Sequence, residues 1–123
     1  MDVRIAIAGV GGKMGRTLIE QIAVSEGLAL VGGIEQQGSF LIGRKLSELS
    51  QSSKVSGPIS DSIEGLPEFD VLIDFSTPDA SLERLSECVE INKPVVVGTT
   101  GFGEDQMLRV QILPNHIWRK ACS

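Results

Sequence analysis

The sequence has few of the residues that build covalently linked or metal-held scaffolds. Its 123 residues include two cysteines, Cys88 and Cys122, and one histidine, His116. Two cysteines are too few for a disulfide framework in a domain of this size, and with one histidine they do not complete a four-ligand zinc site. We therefore expect a fold held by its apolar core in a reducing compartment, which makes the cytoplasm the default location.

Long apolar runs and an excess of positive charge are also missing. No apolar run reaches the roughly 18 residues that predict a membrane span, and no basic leader precedes the apolar segment that starts at Val3. Eleven Lys and Arg against 16 Asp and Glu give a net charge of −5, which opposes binding to phosphate backbones and anionic membranes. We expect neither nucleic acid nor a membrane as a partner.

Glycine, by contrast, is abundant, and strand patterns alternate with helix patterns. The 14 glycines predict tight turns, and the length fits one domain. A loop with at most a short strand around Val55 to Ile59 separates two groups of elements. The other predicted elements are strands at 3–8, 28–34, 71–75 and 95–97, and helices at 14–23 and 78–91. This alternation predicts an α/β fold with a doubly wound parallel sheet.

A glycine-rich turn joins the first strand to the first helix. Glycines at 9, 12 and 15, with Gly11 in addition, give the spacing G-x-x-G-x-x-G, and the strict G-x-G-x-x-G fails because residue 14 is Met. Backbone N–H groups without obstructing side chains, at the positive end of a helix, are typical of a pyrophosphate site. The alternative is a plain strand-to-helix turn.

Glu35 ends the second strand, where an acid can accept hydrogen bonds from the hydroxyls of an adenosine ribose. A carboxylate there repels a 2′-phosphate, and Gln36 offers no charge to hold one. Lys13 either reaches a phosphate or lies in water. The alternative for Glu35 is a solvated residue at a strand end.

Two later strands end in loops rich in hydroxyl groups, Asp74 to Pro78 and Gly98 to Phe102. Ligands of open α/β sheets bind beyond these carboxyl ends, so both loops could hold a nicotinamide ribose and carboxamide, with Phe75 or Phe102 against the ring. Taken alone, both are ordinary loops. Asp74 is interpreted as a cap for backbone N–H groups in preference to a proton donor.

The last seventeen residues differ in composition from the rest. All 16 acidic residues lie before Met107, while the segment from Met107 to Ser123 contains the only Trp and the only His. Val110 to Ile112 could form a short strand, but Pro114 interrupts it. We predict that no helix or strand pattern resumes after it.

Three segments carry a resemblance to a known family. Ile7 to Arg16, Asp70 to Pro78 and Val96 to Phe102 resemble the N-terminal domain of 4-hydroxy-tetrahydrodipicolinate reductase, also called dihydrodipicolinate reductase. The resemblance implies a Rossmann-like domain that binds NADH or NADPH for a reduction in diaminopimelate and lysine biosynthesis. By position it assigns Glu35 to the adenosine ribose, beside Gln36. It assigns the pyrophosphate to Gly9, Val10, Gly11, Gly12, Lys13 and Met14, and the nicotinamide end to Gly98, Thr99 and Thr100.

The family also has features that this sequence does not show. Its substrate domain, with a His-His pair, a nearby lysine and a Ser-Gly-Thr segment, has no counterpart here. We therefore expect a dinucleotide-binding domain at 1–106, a tail at 107–123 unlike the family, and a truncated chain that is catalytically incomplete. The resemblance implies a small dicarboxylate substrate for the full-length family, whose tetramer forms mainly through the other domain. The alternatives are a stand-alone nucleotide-binding or redox-sensing module and part of a related amino-acid dehydrogenase.

Overall fold

A parallel sheet of six strands organises residues 2–114 and 116–120, which are the residues that the computed structural model describes. The strands are β1 Val3–Ala8, β2 Leu28–Ile34, β3 Ile59–Ser60, β4 Val71–Asp74, β5 Val95–Val97 and β6 Trp118–Lys120. The helices are α1 Lys13–Val24, α2 Pro78–Ile91 and α3 Glu104–Gln111. Across the sheet the order is β3-β2-β1-β4-β5-β6, and every pair of neighbours is parallel. The predicted doubly wound α/β fold is confirmed.

The two faces of the sheet bury separate apolar clusters because successive side chains of a strand point to opposite faces. On β1, Ile5 and Ile7 face the cluster that contains Ile19 and Ile22 of α1. The intervening alanines, Ala6 and Ala8, face the cluster to which α2 and α3 contribute. Its helical members are Leu82, Leu85, Cys88 and Val110. Helices thus cover both faces of the sheet, as the all-parallel strand order requires.

The strand order reverses at β1, because β2 and β3 lie on one side of it and β4 lies on the other. The carboxyl ends of β1 and β4 are in register, with Ala8 beside Asp74, and Phe75 N–H donates to the carbonyl oxygen of Ala8. On the other side of β1, Gly9 N–H donates to the carbonyl oxygen of Ile34 at the end of β2. The loops after β1, β2 and β4 therefore meet at one edge, which is where open α/β sheets bind ligands.

Local sequence signals fix α2 at both ends. Thr77 caps its N-terminus by accepting a hydrogen bond from Ala80 N–H, and Pro78 occupies the first turn. At the other end Asn92 takes the left-handed conformation, with φ of 57°. The weak strand expected around Val55 is displaced, since β3 starts at Ile59 and Val55 makes only an isolated bridge to Leu30. No helix within the described ranges is long and apolar enough to cross a membrane.

The prediction that no helix or strand resumes after Pro114 is wrong, because β6 follows at Trp118–Lys120, and the short strand expected at Val110 to Ile112 is not found. Helix α3 runs across residue 106, Val110 lies in that helix and not in a strand, and β6 pairs with β5 through Val95 and Trp118. Val110 and Ile117 are both buried in the cluster beneath α2 and α3. Three residues of β6 are too few to show an alternating pattern, so only the pairing with β5 makes Trp118–Lys120 a strand.

Candidate functional site

Two glycines of the turn after β1 are required by the fold itself. Gly9 has φ of +83°, and a Cβ atom on it would lie 2.2 Å from the carbonyl oxygen of Phe75. A Cβ on Gly15 would lie 2.4 Å from the carbonyl oxygen of Gly9. These short distances show how closely the turn packs against α1 and against the loop after β4. The close approach of the three backbone segments depends on the absence of side chains at Gly9 and Gly15.

Gly12 is in a different position, because nothing in the fold requires glycine there. Its backbone is extended, with φ of −76° and ψ of 175°, and a Cβ would meet only the carbonyl oxygen of Gly9, at 3.4 Å. Gly12 is the N-cap residue of α1, so no side chain caps that helix. The N–H groups of the first turn of a helix lack partners within the helix, and in the described part of the chain no side chain caps those of α1 at its positive end.

A cleft of about 780 Å³ lies in front of this turn. The sequence-predicted site residues that line it are Gly9, Gly11, Gly12, Glu35, Gln36 and Phe75. We call this space the large cleft. Its lining continues from the turn after β1 along the loop after β2 to Asp61 and Ser62 and to the first turns of α2.

Two arginines that the sequence analysis did not assign to the site also line the large cleft. Arg16 lies one turn into α1, where its N–H donates to the carbonyl oxygen of Gly12, and no ion pair of Arg16 is seen in the described part of the chain. Arg84 donates to the carbonyl oxygen of Asp61 and pairs with Glu83 and Glu87. The spacing of four residues from Gly12 is the signal that could have found Arg16. No local sequence pattern predicts Arg84, because its place in the large cleft depends on how α2 packs against the sheet.

Glu35 is held against the glycine turn. Its Oε2 accepts a hydrogen bond from Gly11 N–H at 2.6 Å, and its Oε1 accepts one from Gln36 N–H at 3.3 Å. A Cβ on Gly11 would lie 2.4 Å from Leu41 Cδ1 and 3.0 Å from Glu35 Oε2. The carboxylate is therefore fixed at the junction of the loops after β1 and β2, with a side chain that is half-buried and lines the large cleft.

A second cavity, of about 330 Å³, lies beyond the ends of β5 and β6. Its lining includes Phe75, Gly98, Thr99 and Thr100 of the predicted site, and we call it the small cavity. The Phe75 ring lies on Gly98, where a Cβ would be 2.1 Å from Phe75 Cε1. Phe75 lines both spaces, so it stands at the boundary between the large cleft and the small cavity.

Three predicted site residues line neither space. Val10 is fully buried and packs against Gly33 in the core, so its backbone alone is directed to the turn. Lys13 and Met14 have exposed side chains in the first turn of α1, outside the linings of both spaces. What this segment presents to the large cleft is backbone together with Arg16, which follows one turn later.

The thiol of Cys88 and the imidazole of His116 lie apart from these spaces. Cys88 is completely buried, and burial raises the pKa of its thiol to about 12, as expected for a core residue. His116 is exposed and lines neither the large cleft nor the small cavity. Cys122 lies outside the described residues.

A family model described as "Dihydrodipicolinate reductase, N-terminus" matches residues 3–118. The chain belongs to this family. The match includes α3 and reaches Trp118, so it extends past the boundary drawn at residue 106. The family and the fold together make this chain an NAD(P)-binding, dehydrogenase-like domain of an oxidoreductase family.

Solved structures of three proteins are similar to this chain. Dihydrodipicolinate reductase from Paenisporosarcina sp. TG-14, with dipicolinate bound, is 27% identical with a TM-score of 0.66, over 91% of this chain and 43% of that one. Aspartate semialdehyde dehydrogenase II from Vibrio cholerae is 12% identical with a TM-score of 0.69, over 98% and 41% of the two chains. A myo-inositol dehydrogenase from Corynebacterium glutamicum is 19% identical with a TM-score of 0.59, over 80% and 28%. The last two share the fold, and this chain spans less than half the length of each of the three.

Proposed function

We propose that this chain binds NADH or NADPH along the carboxyl edge of the sheet, as the cofactor-binding part of a 4-hydroxy-tetrahydrodipicolinate reductase in diaminopimelate and lysine biosynthesis. The observation that carries the proposal is the uncapped N-terminus of α1 at Gly12, which opens on the large cleft. A pyrophosphate there accepts hydrogen bonds from first-turn N–H groups and gains from the helix dipole. Arg16 adds the positive charge that the dianionic group requires.

The two spaces match the two halves of a dinucleotide. In the large cleft Glu35 is placed to accept hydrogen bonds from the adenosine ribose. In the small cavity the loop Gly98–Phe102 offers backbone groups to the carboxamide, and Phe75 and Phe102 offer ring faces to the nicotinamide. When bound, the cofactor supplies a hydride, and the residues of this chain orient it and exclude water.

The substrate that we propose is a small cyclic dicarboxylate, in line with the dipicolinate bound to the 27% identical reductase. Among the described residues that line the small cavity, Lys120 is the one ionisable group. Hydride transfer requires the reacting atoms to be held about 3 to 3.5 Å apart, and correct positioning is worth roughly 7 to 11 kcal/mol of the barrier. A single lysine on a strand end does not hold two carboxylates and also donate the proton, so we expect little turnover by this chain alone. NADH oxidation with and without a separately expressed substrate domain of the family tests this.

A matched pair of glycine substitutions tests cofactor binding. Gly12 and Gly103 are both N-cap residues with nearly the same backbone, φ of −76° and −74° and ψ of 175° and 171°. Each would bring a Cβ near only one other group, at 3.4 and 3.5 Å. Gly12→Val therefore leaves the fold intact but blocks the approach of the pyrophosphate, while Gly103→Val lies outside both spaces.

Isothermal calorimetry with NADH provides the readout. We expect Gly12→Val to lower the affinity at least about 100-fold, since the side chain excludes the ligand from the helix terminus, and Gly103→Val to bind as the unmodified chain does. Equal thermal unfolding of the two variants shows that the fold is unaffected. Unchanged NADH binding by Gly12→Val would contradict the proposed site.

The choice between the two cofactors depends on the end of β2. Glu35 offers acceptors to a free ribose and Gln36 has no charge, so we expect NADH to bind at least as tightly as NADPH. Glu35→Gln removes the repulsion of a 2′-phosphate and should shift the ratio of affinities toward NADPH, with Glu20→Gln on the outer face of α1 as the control. A clear preference of the unmodified chain for NADPH at moderate salt contradicts this assignment and points to Arg16 or Lys13.

A further inference from the structure

The buried polar residues of the described chain lie in one place. Asp74 and Ser81 are fully buried, and Thr99 is 9% exposed. They come from the end of β4, the first turn of α2 and the loop after β5, and Ser76 joins them from the loop between β4 and α2. We call these four residues the hydroxyl cluster: Asp74, Ser76, Ser81 and Thr99.

The cluster links two loops through the hydroxyl group of Thr99. Thr99 Oγ1 accepts hydrogen bonds from Ser76 N–H at 3.0 Å and from the Ser81 hydroxyl at 2.7 Å, and it donates to the carbonyl oxygen of Asp74 at 3.3 Å. A hydroxyl has one donor and two acceptor positions, so all three are used within the protein. The Thr99 hydroxyl therefore has no position left for a ligand.

Asp74 also holds the loop between β4 and α2. Its Oδ1 accepts hydrogen bonds from Ser76 N–H at 3.1 Å and from the Ser76 hydroxyl at 2.6 Å, and its carbonyl oxygen accepts one from Gly98 N–H at 2.7 Å. Within the described structure its Oδ2 is buried without a partner. Complete burial of a carboxylate costs free energy when one of its oxygens has no hydrogen-bond partner. The fold alone does not require this cost, since the buried side chain contacts a single loop.

The loops that the cluster joins are the ones that line the small cavity. Phe75 precedes Ser76, and Gly98 and Thr100 flank Thr99. Asp74 and Ser81 are fully buried, whereas Ser76 also lines the large cleft and Thr99 also lines the small cavity. The hydrogen bonds of the cluster fix the position of one loop relative to the other. A shift in either loop would change the spacing between the Phe75 ring and the backbone groups of Gly98 and Thr100.

We propose that the hydroxyl cluster is a positioning device for the nicotinamide half of the cofactor, in which the Thr99 hydroxyl fixes the two loops without touching the ligand. This proposal rests on the proposed function, since it assumes that a dinucleotide occupies both spaces. It predicts that the cluster governs the extra affinity that the nicotinamide adds, and leaves the affinity for the adenosine diphosphate half unchanged.

Two substitutions at Thr99 separate the hydroxyl from the side-chain shape. Thr99→Val keeps the shape and removes the hydroxyl, whereas Thr99→Ser keeps the hydroxyl. Calorimetry measures the affinities for NADH and for ADP-ribose, which lacks the nicotinamide. Loss of buried hydrogen bonds of ordinary strength predicts that Thr99→Val binds NADH about five- to tenfold more weakly than the unmodified chain. Its affinity for ADP-ribose should stay within about twofold of the unmodified chain. Thr99→Ser should recover the NADH affinity. Ile22→Val, in the other apolar cluster, controls for a general loss of stability.

A general structural role has a different signature. If Thr99→Val weakens both ligands equally, or neither, the proposal is wrong. Amide hydrogen exchange without ligand gives a second measurement: Ser76 and Gly98 should exchange faster in Thr99→Val, while Gly12 N–H, bonded to Gly9, should not change. If the unmodified chain binds neither NADH nor ADP-ribose, the proposed function fails. Unchanged exchange at Ser76 and Gly98 in Thr99→Val would then also overturn the loop-fixing role.

Discussion

Two neighbouring strands of this sheet lead into helices through turns of opposite design. After β1, the N-cap of α1 is Gly12, and no side chain of the described residues forms a cap hydrogen bond with that helix. After β4, Thr77 caps α2, Pro78 removes one N–H donor, and Asp79 places a negative charge in the first turn. Both turns lie at the carboxyl edge, and in the described structure only the second has a side chain that caps its helix.

On the proposed function, the difference divides the two helix ends between stability and binding. A capped end is worth about 1 kcal/mol and has fewer donors left for a ligand. An uncapped end gives up that stabilisation but presents its N–H groups and the positive end of the helix dipole to an anion. In this chain the uncapped end is also the one beside Arg16 and the large cleft.

The largest effect is expected from Gly9, on which the shape of the open turn depends. Gly9→Val places a β-branched side chain at φ of +83° and against the carbonyl oxygen of Phe75. Backbone strain and overlap together should cost about 3 kcal/mol or more of the free energy of unfolding. Urea denaturation measures this cost. A stability within about 1 kcal/mol of the unmodified chain would mean that the turn relaxes and that its glycine is not structural.

Gly12→Ser converts the open turn into a capped one. Serine is a strong N-cap residue, and the extended backbone of Gly12 suits it, so its hydroxyl should accept a hydrogen bond from the first turn of α1. We expect a gain in stability of a few tenths of a kcal/mol and about a tenfold loss of NADH affinity. Calorimetry and thermal unfolding measure the two changes, and a rise in both properties would remove the proposed conflict between capping and binding.

Thr77→Ala opens the capped turn in the reverse direction. The hydrogen bond from Ala80 N–H to Thr77 Oγ1 is long, at 3.4 Å, so the expected loss is about 0.5 to 1 kcal/mol, at the lower end for an N-cap. Urea denaturation measures the loss, with Thr77→Ser as the conservative control. Asp79 and Pro78 remain, so the opened end of α2 should not become an anion site. Tighter binding of inorganic phosphate by the variant would show that the missing cap alone creates one.

The smallest effect is expected at the opposite edge of the sheet, where charges are paired. The side chain and the backbone N–H of Arg4 donate to Asp70 and hold the pKa of its carboxyl below its ordinary value of 3.8. A lowered pKa in the folded state means that the unfolded state binds more protons, so this contribution is present above pH 3.8 and is lost as the pH falls through the folded pKa. The stability difference between the unmodified chain and Arg4→Gln should therefore shrink below pH 3.8. A difference that stays constant down to pH 2 would assign it to packing.

The sequence was most informative where a local pattern has one structural solution. The run Val3–Ala8 with its glycine turn predicts β1 and the start of α1, and Thr77-Pro78 predicts the start of α2. It was least informative after residue 106, where α3 and the three-residue β6 depend on burial of Val110 and Ile117. Short elements show no period, so their structure follows from the partners that cover them.

The sequence by itself determined the fold class, the family and the glycine turn at the carboxyl edge of the sheet, because glycine spacing, helix caps and apolar period act within a few residues. The tertiary structure decided which side chains share a space. It brought Arg16 and Arg84 to one cleft, seated the Phe75 ring on Gly98, and turned the Thr99 hydroxyl inward to Ser76 and Ser81. These contacts join segments that are distant along the chain. They form only when parallel strands and their helices come into register, and no local pattern records that register.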